Sequence, residues 1–290
     1  MSGKKVLVTG SRGLLGSYLV NEIPNCIGYS SQELDITKTQ YVNQIVEKEK
    51  PDIIIHAAAF TNVEACETEI DKAFEVNTIG TQNLVNCCID RDILFVFISS
   101  TGIYGSYKTE RYIEFDKVEP STIHHSSKYE AEKVVTNHLK KYLILRTGWI
   151  FGGNSLHKKN FVYQRYAEAK NNALIYSDAS QIGNPTYVLD LVEQIKTLIS
   201  NNQFGTYNCV NDANNISRYD YVKKIVELFD LACKVEVAPK DMFIRNASVS
   251  SNESALNFKL NLMGINRMRR WDEALEDYIN KVRRDFDSNL

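Results

Sequence analysis

The chain has 290 residues, with 34 Lys+Arg against 36 Asp+Glu, a net charge of −2, 43% hydrophobic residues and 24% charged ones. This is a globular composition that excludes a disordered chain, and the missing basic excess excludes a generic nucleic-acid binder while leaving room for a local cationic pocket. At roughly 150 residues per domain the length predicts about two domains, or one large α/β unit with an appended piece.

Met1-Ser2-Gly3-Lys4-Lys5 runs straight into Val6-Leu7-Val8, a short apolar run ending at Thr9-Gly10 that predicts a buried strand. Leu14, Leu15, Leu19 and Val20 then follow a helical period up to Pro24. Cys26 to Tyr29 is a second, weaker strand, Tyr41 to Lys50 a helix closed by Pro51, and Ile53-Ile54-Ile55 a third strand. Ala73 to Cys88 predicts a helix, Leu94 to Ile98 a fourth strand, Lys128 to Lys140 a helix and Tyr142 to Leu145 a fifth strand. Short strands that are apolar throughout are buried on both faces, as in a parallel sheet covered by helices. The expected class is therefore α/β, a doubly wound parallel sheet.

Beyond Gly152-Gly153-Asn154 the alternation weakens, and helices near Phe161–Lys170, Tyr219–Leu231 and Asp272–Arg283 predict a second, smaller, mostly helical C-terminal lobe. The expected division is 1–152 plus about 183–210 for the first domain, and about 153–182 with 211–290 for the second lobe. A strand around Pro185–Leu189 is expected to return to the first sheet. No run reaches the ~20 apolar residues of a membrane span and no signal peptide is present, so a cytoplasmic protein without a membrane partner is expected. The six cysteines (Cys26, Cys66, Cys87, Cys88, Cys209, Cys233) show no CxxC spacing, so reduced, packed thiols and no metal are expected.

The strongest local signal is Gly10-Ser11-Arg12-Gly13-Leu14-Leu15-Gly16, directly after the first strand and opening the first helix. Glycines here let the backbone turn tightly, let a pyrophosphate approach and bring helix against sheet, while the helix N-terminus offers unpaired N–H groups to phosphates. The competing reading is a packing turn; the position between the first strand and the first helix decides for phosphate.

The GxxGxxG spacing, preceded by Val8-Thr9, resembles the extended branch of the short-chain dehydrogenase/reductase superfamily, which implies a Rossmann domain. Leu34-Asp35-Ile36-Thr37 resembles the superfamily's adenine-side loop. His56-Ala57-Ala58-Ala59 resembles the small-residue turn beneath the cofactor, and Asn77 the asparagine that follows. Leu145-Arg146-Thr147-Gly148-Trp149-Ile150-Phe151-Gly152, Gln181 to Leu191 and Trp271-Asp272-Glu273-Ala274-Leu275 narrow the resemblance to the dTDP-4-dehydrorhamnose reductase family. The match spans essentially the whole chain, and it implies Gly10, Arg12, Gly13, Leu14, Leu15, Gly16, Asp35, Ile36, Ala57, Ala58, Ala59, Asn77 and Lys128 at the cofactor. Dimers are common in the superfamily, so a homodimer is the implied assembly.

An acidic residue at the end of the second strand would bind the ribose 2′-hydroxyl of NAD and repel the 2′-phosphate of NADP. That strand ends in Tyr29-Ser30-Ser31, whereas Arg12 in the glycine loop can pair with a 2′-phosphate, so NADP(H) is favoured over NAD(H). An exposed loop arginine is the plainer alternative for Arg12.

The superfamily's chemistry rests on a Ser/Thr, a Tyr and a Lys four residues later. Counting back from Tyr104-Gly105 in Ser99-Ser100-Thr101-Gly102-Ile103-Tyr104-Gly105 places Ser100 at the hydroxyl position. Thr101 and Gly102 replace the Asp-Tyr of the reductases' Ser-Thr-Asp-Tyr-Val-Phe run. In His124-His125-Ser126-Ser127-Lys128-Tyr129-Glu130-Ala131-Glu132, Lys128 matches the lysine, but His124 stands where the tyrosine belongs. Positions i and i+4 share a helix face, so His124 and Lys128 should meet, while Tyr129 points away. Three readings stay open: His124 is itself the proton donor; another hydroxyl (Tyr104, Tyr107 or Ser100) relays the proton with His124 in support; or reductase activity is lost and the fold serves as a cofactor-binding partner or regulatory subunit.

The resemblance implies a nucleotide-activated 4-keto-6-deoxy sugar lying between the two lobes, made into a deoxysugar for surface polysaccharide. Thr101, Trp149, Asn184, Pro185 and Arg245 are the expected wall residues, with Arg245 at the pyrophosphate. Trp149 reads equally as a core residue and Arg245 as a surface ion-pair partner.

Overall fold

The computed structural model describes residues 3–157, 159–240, 242–243 and 245–289. In chain order the first half contains β1 (Val6–Thr9), α1 (Leu14–Glu22), β2 (Cys26–Tyr29), α2 (Thr39–Glu49), β3 (Ile53–His56), α3 (Val63–Thr68) and α4 (Ile70–Phe74). A π-turn over Glu75–Ile79 leads into α5 (Gly80–Cys88), followed by β4 (Leu94–Ser100), a 3₁₀ turn at Thr101–Tyr104, α6 (Ile123–His138) and β5 (Tyr142–Thr147). Then come β6 (Ile150–Phe151), α7 (Phe161–Asn171), β7 (Leu174–Ser177), β8 (Ile182–Gly183), β9 (Thr186–Tyr187), α8 (Val188–Ser200) and β10 (Gly205–Asn208). The chain finishes with β11 (Ile216–Ser217), α9 (Arg218–Leu228), β12 (Lys234–Val237), α10 (Phe258–Leu262) and α11 (Trp271–Ser288).

Six strands form one sheet in the order β10-β5-β4-β3-β1-β2, all parallel, with Val8 opposite both Gly28 and Ile55. The expected α/β doubly wound class is borne out. Alternation along each strand explains the two cores. Val6, Val8, Ile53, Ile55, Val96 and Leu145 point to one face, where Leu15 and Leu19 of α1, Leu191 and Ile195 of α8 and Tyr278 of α11 cover them. Leu7, Ile54, Phe95, Phe97 and Ile144 point to the other, under Val42 and Val46 of α2, Leu84 of α5 and Val135 of α6. Each such side chain contributes about 1.5–3 kcal/mol on burial.

The sheet's outer strand differs from the expectation. Thr186–Tyr187 pairs with Ile150–Phe151 in a separate two-stranded ladder, and the residues from Val188 onward are already helical. The strand that joins β5 is Gly205–Asn208. Pro185 prevents a long strand there, and the apolar residues that follow have the spacing of α8, which packs against α1. Two further ladders, β7 with β12 and β8 with β11, belong to the C-terminal part. Among the described residues no helix is long and apolar enough to cross a membrane. The six cysteines are unbridged, and all but Cys26 are buried.

Candidate active site

Gly10 ends β1 at φ 75°, a left-handed backbone that side chains resist. A Cβ on it would stand 2.7 Å from Ala58 N, and a Cβ on Gly16 would stand 2.1 Å from the Gly10 carbonyl oxygen. Close approach of backbone to backbone therefore fixes both residues. Gly13 caps α1 without a side-chain hydrogen bond, and the first turn carries no acid, so the N–H groups of Leu14, Leu15 and Gly16 open onto the turn. The Leu15 side chain itself lies in the core, which leaves only its backbone to the site.

Around this turn the other expected cofactor residues divide into facing and supporting groups. Arg12 is exposed and donates to Gln32 Oε1 at 2.8 Å, beside the acid-free end of β2. The Glu33 carboxylate is turned away onto Ser30, accepting from its N–H and hydroxyl, and these bonds, with Arg12 nearby, hold it below the ordinary carboxylate range. Asp35 Oδ1 accepts from the Thr37 N–H and hydroxyl, and Ile36 packs on Gly80. Ala57, Ala58 and Ala59 follow β3, partly exposed, with Ala57 N and Ala58 N donating to the Thr9 backbone and side-chain oxygens. Asn77, in the π-turn, does not reach outward as expected. Its Nδ2 donates to Phe60 O and Ser127 Oγ and its Oδ1 accepts from Phe60 N, so it pins the loop after β3 to α6.

Thr122 caps α6 by accepting from His125 N, which starts the helix five residues earlier than its periodicity suggested. The first turns then carry His124 and Lys128 inward, both buried. Lys128 Nζ lies 3.9 Å from the Phe97 ring centroid and donates no hydrogen bond to a described residue. Burial lowers this amine to about 7, although Glu132 pulls the other way. A buried lysine amine that donates no hydrogen bond to a described residue, a turn too tight for a Cβ and an uncapped helix start together fit a dinucleotide whose ribose and phosphates complete the bonding.

His124 Nδ1 lies 3.0 Å from Phe60 O. A carbonyl only accepts, so Nδ1 carries the proton and Nε2 is left as an acceptor. Burial first, then His125 and Lys128, lowers His124 to about 3. Its imidazolium is therefore not populated near neutrality, which opposes the reading of His124 as proton donor. Tyr104 is also spent: its hydroxyl donates to Asn208 Oδ1 at 2.8 Å and accepts from Arg146 Nη1 at 3.0 Å, in the core. Tyr107 donates to Lys117 O on the exposed side, and Lys133 lies over the outward Tyr129 ring. Of the candidate hydroxyls, Ser100 alone lines the cleft. Its Oγ accepts from Gly102 N at 3.2 Å, so its own proton is available.

Ser100, His124 and His125 line a cleft of about 700 Å³ together with residues of the C-terminal part. Trp149 and Arg245 line it as expected. Thr101 does not; it is buried behind Gly148. Asn184 does not either, because its amide is consumed by Asn211 O, Ala255 O and Ala255 N, knitting buried segments together. Trp149 sits at φ 43°, strained for an aromatic residue, with one face against Gly183 and its Nε1 donating to Glu253 at 2.9 Å. Arg218 stacks on its ring at 3.5 Å and, by burial, is lowered to about 10. Glu253 is raised by burial, against the opposing pull of Arg218, Trp149 and Arg245.

Arg218, Lys159, Gln181 and Glu253 are cleft residues that the sequence reading missed. They lie in different elements with no spacing signature. The one local signal is the Ser217–Asp220 capping box that sets Arg218 at the start of α9. Glu64 Oε2 accepts from Asn246 N and Ala247 N, which holds the Arg245 segment at the mouth.

The parallel sheet, the glycine turn and the uncapped helix define a dinucleotide-binding α/β protein with a second, smaller C-terminal lobe. Residues 4–284 match the sequence model of the RmlD substrate binding domain, and the chain belongs to that family. It is 31% identical over 284 residues to the spore coat polysaccharide biosynthesis protein SpsK of Bacillus subtilis, covering 96% of this chain and 97% of that one. It is 31% identical over 244 residues to a dTDP-4-dehydrorhamnose reductase of Aggregatibacter actinomycetemcomitans, covering 80% and 81%. A dTDP-4-dehydrorhamnose reductase of Bacillus anthracis, solved in complex with NADP, superposes with a TM-score of 0.91 at 32% identity, covering 96% of this chain and 99% of that one. The resemblance read from the sequence is borne out.

Proposed function

We propose that the protein is an NADPH-dependent reductase of a nucleotide-activated 4-keto-6-deoxy sugar, acting in the cytoplasm to make a deoxysugar for surface polysaccharide. The observation that carries this reading is Ser100 and His124 lining one cleft, with Lys128 a turn further along α6, in a chain whose first strand and helix are joined by a glycine turn too tight for a Cβ. Relatives named dTDP-4-dehydrorhamnose reductase and dTDP-4-keto-6-deoxy-D-glucose reductase support the substrate class. When bound, NADPH supplies a hydride to the keto carbon; the keto oxygen takes up one proton, so ketone, NADPH and H⁺ become alcohol and NADP⁺. Ser100 gives its hydroxyl proton to that oxygen and recovers one from water in the open cleft. Lys128 would hold the cofactor's ribose with the N–H groups it has to spare, and Arg218, Arg245 and Lys159 would hold the sugar nucleotide's diphosphate. Arg12 favours NADPH over NADH through the 2′-phosphate.

The test is consumption of NADPH with a 4-keto-6-deoxy nucleotide sugar by native protein, Ser100→Ala and His124→Tyr. Turnover by the native protein, lost in Ser100→Ala, is expected. NADPH binding without turnover in the native protein, with turnover appearing in His124→Tyr, would establish the partner-subunit reading instead.

A further inference from the structure

We infer that His124 and His125 form a complementary pair that reads an α-hydroxyketone, His125 donating from Nε2–H to the keto oxygen and His124 accepting at Nε2 from the hydroxyl on the adjacent carbon. The inference takes the identity of the ligand from the reductase reading, and it assigns a substrate contact to His125.

The hydrogen-bond network assigns the two rings opposite tautomers. His124 Nδ1 must be the donor toward Phe60 O, as argued above, so its Nε2 offers a lone pair. His125 Nδ1 lies 3.0 Å from Thr122 Oγ1, which already accepts the backbone N–H of His125 at 3.2 Å. Thr122 is buried, and its hydroxyl proton has no other acceptor among its hydrogen bonds, so it goes to His125 Nδ1. The ring proton of a neutral His125 then sits on Nε2. Burial keeps both rings neutral, with His124 lowered to about 3 and His125 to about 4. The rings meet edge to face with centroids 5.1 Å apart, and both line the cleft.

Gly102 is what admits the second ring. A Cβ there would lie 2.1 Å from His125 Cε1 and 2.3 Å from Nε2, so any side chain at 102 would evict the imidazole. Gly102 N also donates to Ser100 Oγ. His125 and Ser100 both approach Gly102 and both line the cleft, so His125 Nε2–H is a second donor there in addition to the Ser100 hydroxyl.

The ligand that matches one neutral donor next to one neutral acceptor carries an oxygen that only accepts beside an oxygen that can donate. In a 4-keto-6-deoxy hexose the keto carbon has the hydroxyl-bearing C3 on one side, and C5 on the other has only the methyl and the ring oxygen. The C4 oxygen and C3 hydroxyl supply that pattern on one edge of the sugar.

The test compares native protein with His125→Leu, His125→Gln and His124→Leu, on a 4-keto-6-deoxy nucleotide sugar and its 3-deoxy analogue. Turnover is measured with NADPH and substrate affinity with NADP⁺, and thermal melts confirm that each variant is folded. His125→Leu should lower kcat/KM roughly 100-fold, and His125→Gln, which restores an N–H near Nε2, should recover most of that loss. His124→Leu should weaken affinity for the hydroxylated sugar roughly tenfold with little change in kcat, and should change nothing for the 3-deoxy analogue. Equal loss in His125→Gln and His125→Leu, or equal loss in His124→Leu on both sugars, would overturn the pair. A native protein without turnover would refute the reductase reading, and the affinity measurements would still decide on the histidines.

Discussion

Lys128→Met nearly preserves the volume of the side chain, shortens it by one atom and removes its charge. Burial holds the native amine at about 7 against 10.5 in an ordinary environment. At ~1.4 kcal/mol per pH unit this is a folding penalty of about 5 kcal/mol, and the cation–π contact with Phe97 reduces the expected gain on removal to about 3–5 kcal/mol. The unfolded chain binds this proton more tightly than the folded one. The penalty is therefore absent above the unfolded value, grows as pH falls from 10.5 toward 7, and is complete below the folded value. Urea unfolding should find Lys128→Met more stable than native by about 3–5 kcal/mol near pH 6.5, with an advantage about 2–3 kcal/mol smaller near pH 9. NADPH affinity, followed by its fluorescence, should fall at least ~10-fold because a charge-assisted contact is lost. A variant that is less stable than native by the same amount at both pH values, or that binds NADPH unchanged, would refute the reasoning.

Gly16→Ala places a Cβ 2.1 Å from the Gly10 carbonyl oxygen, so backbone must part from backbone. Overpacking of about 1–3 kcal/mol, offset by up to ~1 kcal/mol of helix propensity, should lower Tm by a few degrees and weaken NADPH binding at least ~10-fold in a fluorescence titration. Arg12→Ala should raise KM for NADPH roughly tenfold and leave KM for NADH unchanged in steady-state assays. Tyr104→Phe strips a buried hydroxyl from Arg146 and Asn208. It should cost about 1–3 kcal/mol in urea unfolding while kcat stays within about twofold, since that hydroxyl is not in the proton path.

The strands were legible because their residues are apolar on both faces, and the glycine turn because close approach leaves glycine as the one residue that fits at positions 10 and 16. The strand Gly205–Asn208 was not, because its Gly-Thr-Tyr-Asn carries no apolar run; it is a sheet edge held by its pairing to β5. Helix α6 was placed five residues late because His124, His125, Ser126 and Ser127 are not strong helix formers, and the Thr122 cap starts it. At the site, chain-local features were readable: Ser100 at the end of β4, and Lys128 four residues from His124. Roles set by long-range bonds were not. Asn77 and Asn184 are polar residues of the right type whose amides are consumed by distant backbone. The sequence left His124 open as an acid, a supporting group or the mark of a lost activity, and only the Phe60 carbonyl, 64 residues away, makes its free nitrogen an acceptor. Arg218 and Glu253 meet at Trp149 from separate elements, a convergence that no spacing announces.

The most direct measurement uses NADPH carrying deuterium in its transferable hydride position together with a 4-keto-6-deoxy nucleotide sugar, with the product sugar analysed by NMR and mass spectrometry. One deuterium at C4 of a newly formed alcohol for each NADP⁺ produced is the expected result. Saturable NADPH binding with the ketone recovered unchanged and no deuterium in the sugar would contradict reduction as the function of this chain.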